Sequence, residues 1–599
     1  MQRINLRFHS YFLPSHVKKR EDDIQIIRDF CCPQSFPKLQ MKYSYQLLWT
    51  LIIIVLICGL CFPLLQGSDA NEYAGIATQM FYRNDWVNII NHDPITGGQY
   101  DYLDKPHILF WSSMIGYKLF GVGAFGYRFI SVLMSLAGAF GVYRLGRLLY
   151  NNATGKMAAV FFITAQAIIL ANHDVKTDTL LTAFVALAVW QFAEFCERRN
   201  LLNMIWGAAF LAGGVGTKGM IAVLVTGCVI FFYILGKRNW KVLFTWKWFV
   251  GIAAFFIFLS PILFCYWLQF DLHPEKLVNG GYGRSGIEFL LWSQSMDRFA
   301  GQRSLYPEFS FFFHTFLWAF LPWCLLAYYG SFYRVRELIQ SGGASFFSRE
   351  QLTFTGTWVM FILMSFSNFK LPHYLNVLFP MFSVFTAGFI TQLYAEKKEK
   401  LLGNLVKVQW GFLFICITAM LLINYLCFPV HQWWIMTGSI AGIIYIFFLL
   451  RQKDDLVASV WYPSAIAILI LNFLLNANFY PAIGKYQPGS AIAIAMKNNG
   501  ISPEKVYNYI SLDRPFDFYS VHWQPILTNE QITSKLQAGE DVIVYADDDK
   551  KPILEQTFRT RIIMQTPNYN IAGLTIKFLN PQTRKDSYTN AYLLKIIPN

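Results

Sequence analysis

Charge is scarce in this chain. Asp, Glu, Lys and Arg make up 14% of its 599 residues, against about 25% in soluble globular proteins. With 55% hydrophobic and 18% aromatic residues, that shortfall excludes an ordinary soluble domain. A cysteine framework is missing too. Of ten cysteines, Cys31 and Cys32 lie in the N-terminal tail and the others fall in apolar runs. None follows Tyr480, so no disulfide can brace the C-terminal region. Cys58-x-x-Cys61 has redox spacing but sits inside an apolar run, where it reads as packing. His107, His173, His314 and His373 are scattered, and no pair has zinc-site spacing. The run Gly213 to Gly219 lacks P-loop spacing. Gly121-Val122-Gly123-Ala124-Phe125-Gly126 matches G-x-G-x-x-G, but no strand precedes it, so it does not read as a dinucleotide site.

What is present is a series of apolar runs of about 20 residues, the length that crosses a bilayer. They fall at 45–66, 121–149, 156–171, 178–195, 201–217, 219–236, 248–268, 309–330, 352–367, 372–394, 405–428, 432–450 and 459–477, about thirteen helices. The net charge of +14 is dispersed in short basic clusters between them. Alternate connections carry Arg144, Arg147 and Lys156; Glu197-Arg198-Arg199; Lys237-Arg238; Arg334 and Arg336; Glu396 to Lys400; and Arg451-Gln452-Lys453. These short basic loops are expected on the cytoplasmic side, together with the tail 1–43 and its Lys18-Lys19-Arg20. That tail reads as disordered, or as lying ahead of a start at Met41. The first apolar run has no small-residue cleavage site and reads as an anchor. The expected architecture is mainly α: a polytopic helical membrane protein with a transmembrane region at 44–480. Its long extracytoplasmic loops, 67–120 and 269–308, include an interfacial helix near 287–300. After Tyr480-Pro481 the texture changes. Five β-rich runs, Val506–Ile510, Asp541–Tyr545, Arg561–Met564, Leu574–Phe578 and Ala591–Ile596, with a helical pattern over 490–498, predict a small soluble α/β domain at 481–599. Span parity places it outside the cytoplasm.

The extracytoplasmic side gathers Asp69, Glu72, Tyr73, Asp101, Tyr102, Asp104, Lys105, His107, His173, Asp174, Lys176, Asp178, Lys218, Asp297, Arg298, Lys370, His373 and Tyr374. Carboxylates and cations from distant segments at one membrane face suit a reaction between an anionic, lipid-borne leaving group and a nucleophile that needs positioning. Asp69 and Glu72, three residues apart, share one face of any helix that begins at Ser68. They serve either as favourable charges at a helix N-terminus or as reacting and binding groups. Asp104 has a capping alternative, with Pro106 in the first helical turn. Lys105 has none, because a cation is unfavourable there. His173 to Asp178 reads as a solvated loop or as part of the site, with Asp178 opening an apolar span. Lys218, in a glycine-rich break, either snorkels or holds a lipid phosphate.

Taken in order, these stretches resemble the C-superfamily membrane glycosyltransferases, in the group of lipid A aminoarabinose transferases and protein O-mannosyltransferases. The resemblance covers roughly residues 45–480. It rests on Ser68-Asp69 to Tyr73, Tyr102-Leu103-Asp104-Lys105-Pro106-His107 to Trp111, and Asp174-Val175-Lys176-Thr177-Asp178. Gly216-Thr217-Lys218-Gly219, Arg298-Phe299, Leu321-Pro322-Trp323 and Lys370-Leu371-Pro372-His373-Tyr374 complete it. It implies a polyprenyl-monophosphate sugar donor. Asp69 would orient or deprotonate the acceptor, and Lys105, Lys218 and Arg298 would hold the phosphate, whose charge grows as it departs. The candidate site is then Asp69 and Asp178 as catalytic carboxylates, Lys105, Lys218 and Arg298 on the donor phosphate, and Glu72, Tyr73, Tyr102, Asp104, Asp174, Lys370 and Tyr374 on substrate. No cofactor is required, and a divalent metal is left open.

The aminoarabinose branch usually carries Asp-Glu and then Arg before the tyrosine; here the chain has Asp69-Ala70 and then Glu72. It usually has Glu-Lys-Pro-Pro where this chain has Asp104-Lys105-Pro106-His107, and often Glu-His ahead of Arg-Phe where this chain has Gln294-Ser295-Met296-Asp297. The expected function is inverting transfer of a sugar, in a bacterial inner membrane, to lipid A or a related envelope glycolipid. Protein O-glycosylation is the alternative within the class. A transporter would place polar groups near mid-span and show internal repeats; here the charges gather at one face. A non-enzymatic envelope scaffold would tolerate loss of the charge cluster.

Overall fold

A computed structural model describes residues 45–597 apart from 94–95, 97, 302–307, 344–347, 452–454 and 511–512. The N-terminal tail, with Cys31 and Cys32, and most of the Arg451-Gln452-Lys453 loop lie outside the described residues. The chain is mainly helical. Seven described helices are long and apolar enough to cross a membrane, or eight if a bent pair counts as one span: this is an integral membrane protein. The seven begin with Ala124–Leu149, Thr177–Arg198 and Lys247–Asp271 and end with Leu456–Gly484. Other expected spans form shorter apolar helices, Tyr45–Cys61, Ile221–Gly236 and Thr355–Ser365 among them.

Two expected spans are broken, and the breaks meet. The run 156–171 divides into Asn152–Thr164 and Gln166–His173, bent by 53°. The run 309–330 divides into Phe311–Ala319 and Cys324–Gln340. The Gln166 N–H donates to the Leu321 carbonyl (3.0 Å), so each break satisfies a backbone group that the other exposes, as an apolar setting demands. Trp323 fills the gap, stacked on Phe161 at 3.9 Å and donating from Nε1 to Thr164 Oγ1 (3.2 Å). Of the G-x-G-x-x-G match, Gly126 serves packing: a Cβ there would lie 2.6 Å from the Gly121 carbonyl oxygen and 3.1 Å from that of Gly116. Cys58 and Cys61 are both free.

Five strands form a C-terminal sheet in the order β4-β3-β5-β7-β6: β3 (Val506–Tyr509), β4 (Ile526–Leu527), β5 (Ile543–Asp547), β6 (Arg559–Asn568) and β7 (Thr589–Ile597). β4 and β5 flank β3 in parallel, while β7 runs antiparallel to β5 and β6. Four of the five expected strands are there, as is the helix Pro488–Asn498. The fifth is corrected: Leu574–Phe578 is a turn leading into the helix Ile576–Leu579. Thr575 Oγ1 caps that helix by accepting from the Phe578 N–H (3.3 Å), and the Phe578 ring stacks on Tyr569 at 3.8 Å. A small hairpin, β1 (Ile90–His92) with β2 (Gln99–Asp101), lies in the 67–120 loop.

Arg128 ties this face together. It is fully buried and donates from Nε to the His173 carbonyl (2.6 Å) and from one terminal nitrogen to the carbonyls of Pro63 (2.6 Å) and Leu60 (3.4 Å). Its removal would orphan carbonyls that no water reaches. Arg128→Leu is expected to destabilise the protein by roughly 3 kcal/mol, read as a lower midpoint of thermal unfolding in detergent; an unchanged midpoint would contradict this role.

Candidate active site

Asp69 lies in the first turn of the helix Ser68–Arg83, where a carboxylate is favourable. Its side chain remains 41% exposed, and Lys176 Nζ stands 3.4 Å from Oδ2. Burial acts to raise the Asp69 carboxyl pKa, but Lys176, His373 and Lys105 together, Lys176 foremost, hold the group below the usual carboxylate range. Lys176 also approaches Asp174 (4.0 Å). Burial acts to lower its pKa, and Asp174 and Asp69 together keep it raised. Asp174 in turn accepts the Gly67 N–H (2.9 Å) at the start of the Asp69 helix. Gly67 is required by this approach, since a Cβ there would sit 2.8 Å from Asp174 Oδ2.

Glu72 shares the helix but has other partners. Asn91 Nδ2 donates to Oε1 (2.5 Å), and the Arg514 guanidinium pairs with Oε2. The two carboxylates read together in the sequence are thus separated by what they face. Tyr73 and Tyr102 are buried beside Phe110, which pushes both phenol pKa values up. Asp104 does not cap a helix. The next helix, Ile108–Phe120, opens past Pro106, and its N-terminal neighbour His107 makes no side-chain cap. The Asp104 backbone carbonyl accepts from Gln294 Nε2 (2.5 Å), and its carboxylate accepts from Asn279 (3.4 Å).

Lys105 is 8% exposed, with Nζ 5.9 Å from the Tyr73 ring centroid. Among the described residues no carboxylate pairs with it. Burial, followed by the charge of Arg298, pushes its ammonium pKa down to about 7. Arg298 donates to the Tyr374 hydroxyl (3.0 Å). Lys218 lies over the Tyr374 ring at 4.2 Å and pairs with the buried Asp178 at 2.5 Å. His373 Nε2 is 3.6 Å from the other Asp178 oxygen. Lys218, expected on the donor phosphate, and Asp178, expected as a catalytic carboxylate, are thus paired with each other. Lys370 is buried and donates to the Glu308 carbonyl (3.0 Å).

Asp178, Lys218, Arg298 and Tyr374 close the polar end of a cavity of about 500 Å³. Its remaining walls are largely apolar, with Leu181, Ile221, Leu291, Phe299, Phe312 and Met360 among them. The stretch 287–300, expected as an interfacial helix, lies within helical segments running from Gly286 to Gly301 and forms one wall. Among the described residues, no three His, Cys, Asp or Glu side chains converge as a metal site.

Residues 104–267 match the family described as dolichyl-phosphate-mannose-protein mannosyltransferase. An uncharacterised protein of Aquifex aeolicus is 24% identical over 60% of this chain and 66% of its own length. The undecaprenyl phosphate-alpha-4-amino-4-deoxy-L-arabinose arabinosyl transferase of Edwardsiella ictaluri is 25% identical over 61% of this chain and 62% of its own. The chain thus spans less than two thirds of the length of either relative. The crystal structure of ArnT from Cupriavidus metallidurans bound to undecaprenyl phosphate superposes with a TM-score of 0.69, at 17% identity, over 92% of this chain and 97% of that one. Its apo state gives 0.64. The C-superfamily resemblance holds. At 17% identity the structural likeness to ArnT is one of fold.

Within this fold, Lys176 and His373 stand inside the carboxylate cluster. Both are in the sequence-derived set of polar residues, yet neither is among the candidate site residues. The only sequence signal for them is their place beside Asp178 and Tyr374. Gln294 shows in the sequence only as a departure from the Glu-His of the aminoarabinose branch, and Arg514 carries no sequence signal, because it reaches the site from a distant segment.

Gly67→Ala is expected to cost about 1–3 kcal/mol through the Asp174 clash. Adding Asp174→Ala to it should return part of that stability. A thermal midpoint unchanged by Gly67→Ala alone would contradict the close approach.

Proposed function

We propose that this chain is an inverting glycosyltransferase of the bacterial inner membrane. It moves a sugar from a polyprenyl monophosphate to an envelope acceptor, lipid A or a related glycolipid. The observation that carries this reading is an apolar cavity whose polar end holds Arg298 and the Asp178–Lys218 pair: its walls suit a polyprenyl chain, while buried Lys105, outside the cavity lining, feels the Arg298 charge, a repulsion that an anion would relieve. A lipid phosphate supplies both the chain and the anion. The relatives named for undecaprenyl phosphate and aminoarabinose support the same donor class.

In the transfer step the acceptor hydroxyl attacks the anomeric carbon from the face opposite the phosphate. The new C–O bond forms as the bond to the phosphate oxygen breaks, which inverts the centre. The hydroxyl proton passes to the Asp69 carboxylate, which Lys176 keeps ionised. The electron pair leaves with the polyprenyl phosphate, and Lys105 and Arg298 stabilise its growing charge. The Asp178–Lys218 pair, with His373, holds Tyr374 and through it Arg298. Tyr73 and Tyr102 form the wall beneath Lys105, and Asp174 sets the start of the Asp69 helix.

Protein O-glycosylation is the second reading, favoured by the mannosyltransferase family match over 104–267. The seven long helices, the bent pair and the shorter apolar helices Tyr45–Cys61, Ile221–Gly236 and Thr355–Ser365 account for eleven of the about thirteen crossings this reading takes. An odd number of crossings leaves the two termini on opposite sides, and with the basic loops read as cytoplasmic the N-terminus is assigned to the cytoplasm and the 481–599 region, with its five-stranded sheet, to the outside.

Mass spectrometry of lipid A and envelope glycans from cells with and without the gene tests the acceptor. A sugar-sized mass loss from lipid A is expected on deletion; unchanged lipid A with an altered glycoprotein would favour the second reading. Asp69→Asn should abolish transfer while leaving the protein folded in the membrane, and normal turnover in that variant would contradict the assignment. Donor binding should also depend on pH. As pH rises through about 7, Lys105 loses its charge, so undecaprenyl phosphate affinity of the purified protein should fall. Lys105→Arg should remove that fall, and a flat wild-type profile from pH 6 to 8.5 would contradict it.

A further inference from the structure

The segment Arg514–Trp523 of the C-terminal region grips the helix that carries Asp69 at three levels. The Tyr519 hydroxyl accepts the Leu65 N–H (2.8 Å) just ahead of the helix. Arg514 pairs with Glu72 one turn in. Trp523 packs beyond it, its Nε1 3.5 Å from where a Cβ on Gly75 would stand and its ring centroid 3.4 Å from that of His92. Phe518, 2% exposed, belongs to the apolar cluster of Tyr73, Ala74, Ala77 and Leu109.

Beyond the charge of Asp517 in its own helix, Arg514 has no local reason for its place. Asp513 caps the short helix Arg514–Ser520 by accepting the Phe516 N–H (2.8 Å), and Pro515 suits its first turn. A cation opening that helix is unfavourable. The guanidinium is held instead by Glu72, whose other oxygen is taken by Asn91. Both side chains of the pair are largely shielded from solvent, so breaking it strands a charge. Glu72 and Asp69 share one helix face, and a rotation that frees one displaces the other.

We propose that Arg514 is a positioning residue for sugar transfer: through Glu72 it fixes the rotation of the helix Ser68–Arg83 and hence the place of the Asp69 carboxylate. This rests on the reading of Asp69 as the group that takes the acceptor proton. It gives the C-terminal region a part in the reaction although Arg514 does not line the donor cavity. A misplacement of about 1 Å in a reacting group can cost on the order of 100-fold in rate.

The test uses full-length protein at matched membrane levels in cells lacking the gene. Transfer is read as the mass-spectrometric change in the envelope glycan, and donor binding as undecaprenyl phosphate affinity of the purified protein. Arg514→Ala is expected to lower transfer about 10- to 100-fold with donor affinity within about 2-fold of wild type. Arg514→Lys should recover part of the loss. The charge exchange Glu72→Arg with Arg514→Glu should transfer better than either single change. Full transfer by Arg514→Ala, while Asp69→Ala is inactive, would overturn the proposal alone. Loss of donor affinity in Arg514→Ala, or a charge exchange no better than the single variants, would overturn it as well by assigning Arg514 to folding or to direct binding. Transfer by Asp69→Ala would overturn the underlying reading of Asp69 and this inference with it.

Discussion

Asp178 and Lys218 meet 2.5 Å apart, both buried, at the polar end of an apolar cavity. A bare charge in that setting would be costly, and the pair persists because each cancels the other and His373 and Tyr374 cover them. Much of the site depends on this contact. It joins the helix ends Thr177–Arg198 and Leu201–Lys218 to the segment Pro372–Leu378. It seats Tyr374, which receives Arg298. With Lys218 neutralised, Lys105 and Arg298 become the cations left to meet an anion.

The site then divides by charge. On the cavity side stands Arg298, with an apolar approach behind it, suited to a lipid phosphate. On the open side stands Asp69, half-exposed and kept ionised by Lys176, suited to an incoming hydroxyl. A sugar between the two would have its leaving group and its nucleophile on opposite sides, the geometry that inversion demands.

Most of this division was legible in the residues. Asp69, Lys105, Asp178, Lys218, Arg298 and Tyr374 stood out because ionisable groups near apolar runs need a partner or a purpose. The alternation of basic loops assigned them to one side. What remained hidden has physical causes. That Lys218 belongs to Asp178 depends on how two helix ends meet, which spacing along the chain does not encode. Glu72 looked like a twin of Asp69 because helical periodicity reports a shared face, while its actual partner, Arg514, comes from the far end of the chain. The broken spans at Ala165 and Leu321 escaped because hydropathy reports apolar length and is blind to where a backbone bends. Leu574–Phe578 read as a strand from composition, but the Thr575 cap and the stack of Phe578 on Tyr569 settled it as a helical turn.

The proposed reaction turns on where a lipid phosphate sits. The most direct measurement is a cryo-electron microscopy map of the full-length protein in nanodiscs with undecaprenyl phosphate. The prediction is phosphate density in contact with Lys105 and Arg298, beside the Asp178–Lys218 pair, and a lipid chain running along Leu291, Phe299 and Met360. Phosphate density elsewhere, or a cavity that stays empty at saturating lipid, would contradict it.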